Sequence, residues 1–96
     1  MLKTLSGELT IYRAAELKDE LLRALDDCGG MLELDLSQVS ELDSAGLQLL
    51  MLLKQLAVQR RHELHLLSHS PAVVEVFELL NVAAFFGDPL VIPQNV

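Results

Sequence analysis

The sequence predicts an α/β fold: a mostly parallel four-stranded sheet with helices packed mainly on one face. Three observations carry that expectation. Apolar residues alternate at a period of two in some stretches and recur at spacings of three and four in others, and the two patterns take turns along the chain. Strands that alternate with helices pair in parallel through right-handed crossovers. Three of the strand-like stretches also carry charged or polar residues at every second position, whereas strands covered on both faces read as unbroken apolar runs. One face of the sheet is therefore expected to lie open to solvent.

The first strand is expected at residues 8 to 11, ELTI, where Glu8 and Thr10 alternate with Leu9 and Ile11. From Ala14 the spacing changes. Ala14, Leu17, Leu21 and Leu25 form the apolar stripe of a helix whose other side carries Glu16, Lys18, Asp19, Glu20 and Arg23, closed by Gly29 and Gly30. Residues 31 to 36, MLELDL, alternate again. A second helix opens at Asp43 or Ser44 and runs to about Arg60, with a basic end that suits the helix dipole. ELHLL at 63 to 67 supplies the next strand. Ser70 and Pro71 are a cap and first-turn pair for a third helix with Val73, Val76, Phe77 and Leu80 inward. Gly87, Asp88 and Pro89 then break the chain before a last short strand at Leu90, Val91 and Ile92.

Length and charge bound the function. Ninety-six residues, 51% apolar and 22% charged, suit one folded domain spanning residues 1 to 96. A formal charge of −7 repels phosphate backbones and anionic lipid surfaces, so neither nucleic acid nor direct membrane insertion is expected. The start, MLKTLSGELT, lacks the basic and apolar segments of a signal peptide, which points to the cytoplasm. Cys28 has no partner for a disulfide and reads as a small core or helix-end residue.

No residue set supports an enzyme or a cofactor. His62, His65 and His69 fall on the open face of a strand and beyond its two ends, so they read as surface histidines rather than metal ligands. Ser44 lacks the first glycine of a G-x-S-x-G nucleophile elbow. Gly29 and Gly30 are followed by Met31 and Leu32, which is not a phosphate-cradling loop, and Asp35 reads as structural or solvated.

ELDSAGLQLL at 41 to 50 is different. At ~100° per residue with Leu47 at zero, Leu52, Leu56, Leu49, Leu53, Ala57 and Leu50 span roughly 140° to 300°, enough to cover a sheet. Leu47, Val58 and Met51 remain as a surplus apolar patch at roughly 0° to 40°, and Ser44 falls near ~60°, on the same side, with Gln48 at its edge. Such a patch is either covered by neighbouring helices or kept for docking a partner. Asp43 or Ser44 caps the helix in both cases.

DLSQVSELDSAGLQLL, residues 35 to 50, resembles the signature of the STAS domain, the sulfate-transporter and anti-sigma-factor-antagonist family. SGELTIYRAAELKDELL is similar to that family's early strand and first helix, and SHSPAVVEVFELLNV to its third helix. Arg13 stands where many relatives place a Thr. The resemblance implies a non-catalytic partner-switching protein that docks a serine kinase, an anti-sigma factor or a chemotaxis component. It implies a helix-start motif of Asp43, Ser44 and Gly46, phosphorylation at Ser44, and a docking face of Asp43, Ser44, Leu47, Gln48, Met51 and Val58. The alternative it leaves open is a subunit of an ABC lipid-transport complex that binds the ATPase constitutively.

Overall fold

The structure is a computed structural model that describes residues 1–86; the expected last strand at 90–92 lies outside them. Among the described residues three strands, β1 (Leu2–Leu9), β2 (Met31–Leu42) and β3 (Glu63–Leu67), form a parallel sheet in the order β1-β2-β3. The helices are α1 (Ala14–Asp27), α2 (Ser44–Gln59), α3 (Pro71–Leu80) and the single turn α4 (Ala83–Phe86), which the sequence reading did not anticipate. Because successive strands step in one direction across the sheet, right-handed crossovers put α1 and α2 on the same face.

That face holds the core. Leu32, Leu34 and Leu36 of β2 are buried among Leu17, Leu21 and Leu25 of α1 and Leu50 and Leu53 of α2. Glu33, Asp35 and His65, pointing the other way, stay partly exposed. Ser70 caps α3, accepting from the Val73 amide at 3.3 Å, while its own amide donates to the Leu36 carbonyl. His69 departs from the expected surface position. It is 1% exposed and meets Phe77 edge-on, and Phe77 in turn stacks on Phe86. The turn into α3 carries it inward, because Ser70 is held against β2.

Two strands differ from expectation in extent. β1 begins at Leu2 and ends at Leu9, so Ile11 lies in the following turn instead of in the strand. β2 continues six residues past Leu36. Its pairing with β1 slips twice: Thr4 pairs with Asp35 but Ser6 with Gln38, and Gly7 pairs with Val39 but Glu8 with Glu41. Each slip gives β2 one extra residue and reverses the facing of the side chains that follow. The inward residues therefore run Leu36, Val39, Leu42, three apart.

Leu42 brings β2 to the start of α2, where Gly46 meets the end of β1. A Cβ built on Gly46 would stand 2.0 Å from the Leu9 carbonyl oxygen and 3.0 Å from Leu42 Cδ1. No side chain fits there without moving the helix off the sheet. We expect Gly46→Ala to cost about 2–3 kcal/mol or to prevent folding, as overpacking against backbone does, whereas Gln48→Ala on the exposed side stays within about 0.5 kcal/mol. Thermal and urea denaturation of the two variants checks the contrast.

Candidate functional site

The end of the sheet where β1 and β2 stop is organised by one carboxylate. Asp43 precedes α2 with an extended backbone, and its Oδ1 accepts from the Gly46 amide at 2.9 Å. Oδ2 accepts from the Ile11 amide at 3.0 Å, and the Asp43 amide donates to the Leu9 carbonyl. Asp43 thus caps α2 and ties the turn after β1 to it. The bonds from Gly46 and Ile11 hold its carboxyl below the usual carboxylate range.

Since Asp43 does the capping, Ser44 is free of that task. It is the first residue of α2 and is exposed, next to Asp43 and close in sequence to the exposed Glu41. From Ser44 an outward stripe continues through Gln48, Gln55 and Val58, the last 64% exposed. Met51 is half-buried, packed at the edge of the core. Leu47 corrects the helical wheel: it is 5% exposed. The sheet lies below α2 while α1 and α4 lie alongside, so the buried arc is wider than covering a sheet alone requires. Lys54, at the edge of the expected patch, turns down to donate to the Leu64 carbonyl at 3.1 Å.

The surface beside Ser44 has a component that the wheel could not reveal. In the turn after β1, Ile11 is 67% exposed and Tyr12 92% exposed. Both sit on the turn that Asp43 holds through the Ile11 amide. The alternation in ELTI placed Ile11 in the strand; β1 ends at Leu9, and the Ile11 amide turns to Asp43 instead. Below this turn a shallow cleft is lined by Thr10, Ser40, Glu41, Asp43, Ala72 and Glu75. Among the described residues no group of three His, Cys, Asp or Glu is placed to hold a metal ion. Cys28, the residue closing α1, has its Sγ 3.8 Å from His62 Nδ1.

A three-stranded parallel sheet among the described residues, joined to a helix start that depends on Gly46, defines an α/β domain. The family model described as "Mlab, STAS domain" matches residues 4–92, and the chain belongs to the STAS domain family. Its fold is similar to that of the anti-sigma factor antagonist SpoIIAA in its unphosphorylated form, with a TM-score of 0.66 and 19% identity over 93% of this chain and 78% of that one. No curated protein sequence matches the chain. No helix of the described residues is long and apolar enough to cross a membrane.

The Asp43 cap carries a pH signature. With the folded carboxyl held below its ordinary value of 3.8, its contribution to stability is complete above that value and is lost as pH falls through the folded one. Asp43→Asn removes the charge and the acceptor for the Ile11 amide. The stability gap between wild type and Asp43→Asn is expected to be widest near neutral pH and to close as pH falls through the lowered folded value, which denaturation midpoints followed from neutral into acid pH measure.

Proposed function

We propose that this protein is a partner-switching regulator that docks a kinase, anti-sigma factor or chemotaxis component through the start and outward stripe of α2, and that phosphorylation of Ser44 releases the partner. One observation carries the reading: within a helix start of the STAS family, Asp43 takes the structural role and leaves the neighbouring Ser44 exposed. Likeness in fold to an anti-sigma factor antagonist supports it. Asp43, Ser44, Gln48, Met51 and Val58 form the face; Leu47 supports it from beneath.

The chemistry of release follows from charge. A phosphate brings about −1.5 to −2 charges at pH 7 and would stand beside Asp43 and near Glu41. At the first residue of a helix the free amides and the dipole tolerate such an anion, so the fold persists. A partner seated over Ser44 would have to strip water from it. Release without unfolding is the result.

The test is an affinity capture from native cells with wild type, Ser44→Ala and Ser44→Asp as baits, with mass spectrometry of the partners and of residue 44. Ser44→Asp is expected to lose a partner that wild type and Ser44→Ala retain, while its stability stays within about 0.5 kcal/mol of wild type, as for an exposed charge change. Equal capture by all three, from a complex that survives salt and holds no phosphoserine, would overturn the switch in favour of a constitutively docked transport subunit.

A further inference from the structure

We propose that Ile11 and Tyr12 form a preformed apolar anchor for a protein partner whose receiving pocket is apolar and rimmed by Lys or Arg. The proposal rests on the docking role given to α2 and names the chemistry of what docks there. Tyr12, at 92%, is the most exposed large apolar side chain of the described residues, and Ile11 beside it is 67% exposed. Both residues stand on the turn joined to Asp43, hence beside Ser44.

The turn is fastened at both ends. On one side the Ile11 amide is held by Asp43 Oδ2. On the other, the Arg13 amide donates to the Thr10 carbonyl, and Arg13 Nη1 donates to the carbonyls of Ser6 at 2.9 Å and Glu8 at 3.0 Å. Those carbonyls lie on the outer edge of β1, since Met1 and Leu9, of the opposite parity, offer theirs towards β2 and its continuation. Gly7 makes room: with φ at +78°, a Cβ there would stand 3.1 Å from Arg13 Nη1. Arg13 also breaks a local rule. It occupies the cap position of α1 without a capping bond, and it places a cation at the positive end of a helix dipole. Two backbone carbonyls offset that cost, and together with the Ile11 and Arg13 amide bonds they restrain the turn. An apolar anchor held rigid before binding loses little entropy on binding.

Charge selects the occupant. Glu41, Asp43 and Glu75 line the cleft that Thr10 borders at the start of the turn, Glu8 is exposed just before it, and Arg13, the one base within the turn, reaches back onto the β1 edge. An acidic collar repels nucleic acid and anionic lipid, which leaves a protein with a basic rim as the complementary surface. An aromatic anchor in an apolar pocket, ringed by paired charges, is the usual form of a binding hot spot.

The full-length protein, expressed in its own cells, carries a photo-crosslinker in place of Tyr12 (Tyr12→p-benzoylphenylalanine), of Gln48, or of Glu63, which is exposed at the other end of the sheet. The expected result is adducts to one and the same protein from positions 12 and 48 and none from 63. The adducted peptide from position 12 should hold apolar residues flanked by Lys or Arg. With that protein purified, Tyr12→Ala should weaken binding at least tenfold and Tyr12→Phe less than threefold, without change in melting temperature. An adduct from 48 but not from 12, a lipid adduct, an acidic adducted peptide, no adduct at all, or full affinity in Tyr12→Ala would overturn the anchor. An adduct from 12 undiminished by Ser44→Asp would keep the anchor and overturn the switch.

Discussion

The approach of Gly46 to the Leu9 carbonyl is the constraint on which the rest of this structure depends. Three elements end or begin at that point: β1 at Leu9, β2 at Leu42 and α2 at Ser44. A side chain at position 46 would lift the helix from the sheet and break the Asp43 bonds to Gly46 and Ile11 together. The junction is built almost entirely from backbone groups and one carboxylate, so it asks nothing of its outward neighbours. Ser44 and Tyr12 are exposed because the geometry under them is already satisfied without them.

The two slips in β2 serve the same junction. A regular strand from Met31 would keep even-numbered residues inward throughout, and Val39 would then face solvent. Inserting one residue twice turns Val39 inward, returns Leu42 inward, and delivers the chain to the end of β1 with Asp43 facing the turn. The cost is two interruptions in the ladder. They fall between Asp35 and Glu41, just before the helix start at Asp43.

Much of this was legible in the sequence, for reasons that differ by element. α1 and β3 were legible because a single period governs each from end to end, and the Ser70 cap because Pro71 follows it at the first helical position. The second half of β2 was not: SQVSEL has its apolar residues three apart, and only the pairing with β1 makes that spacing a strand. The first strand was misjudged by its alternation. Ile11 continues the pattern of Leu9, but the Asp43 bond to its amide turns the chain away, and that contact is 32 residues distant in sequence. The wheel left Leu47 either covered by neighbouring helices or kept for docking, and the resemblance placed it on the docking face; it is buried, with α1 and α4 beside α2. His69 was misplaced for a similar reason, since the bond from Ser70 to Leu36 that draws it inward is long-range. Asp43, Ser44 and Gly46 were legible as a helix start; which of the two polar residues did the capping was not.

That last distinction bears on regulation. If the modified residue were itself the cap, phosphorylation would remove a bond the helix needs and couple the signal to unfolding. With Asp43 as cap, the two tasks fall on adjacent residues and separate. A phosphate at Ser44 would repel the Asp43 carboxylate, yet both are wet in the free protein, and water weakens that repulsion. Docking changes the medium: a fall in effective dielectric from ~80 to ~20 strengthens the same repulsion roughly fourfold. The free domain would barely register the modification, and the complex would bear nearly all of it. In the free domain the bonds from Gly46 and Ile11 lower the Asp43 pKa and favour its charged form. On the proposed reading, a charged cap beside an exposed hydroxyl would concentrate the effect of a phosphate at Ser44 on the interface and spare the fold.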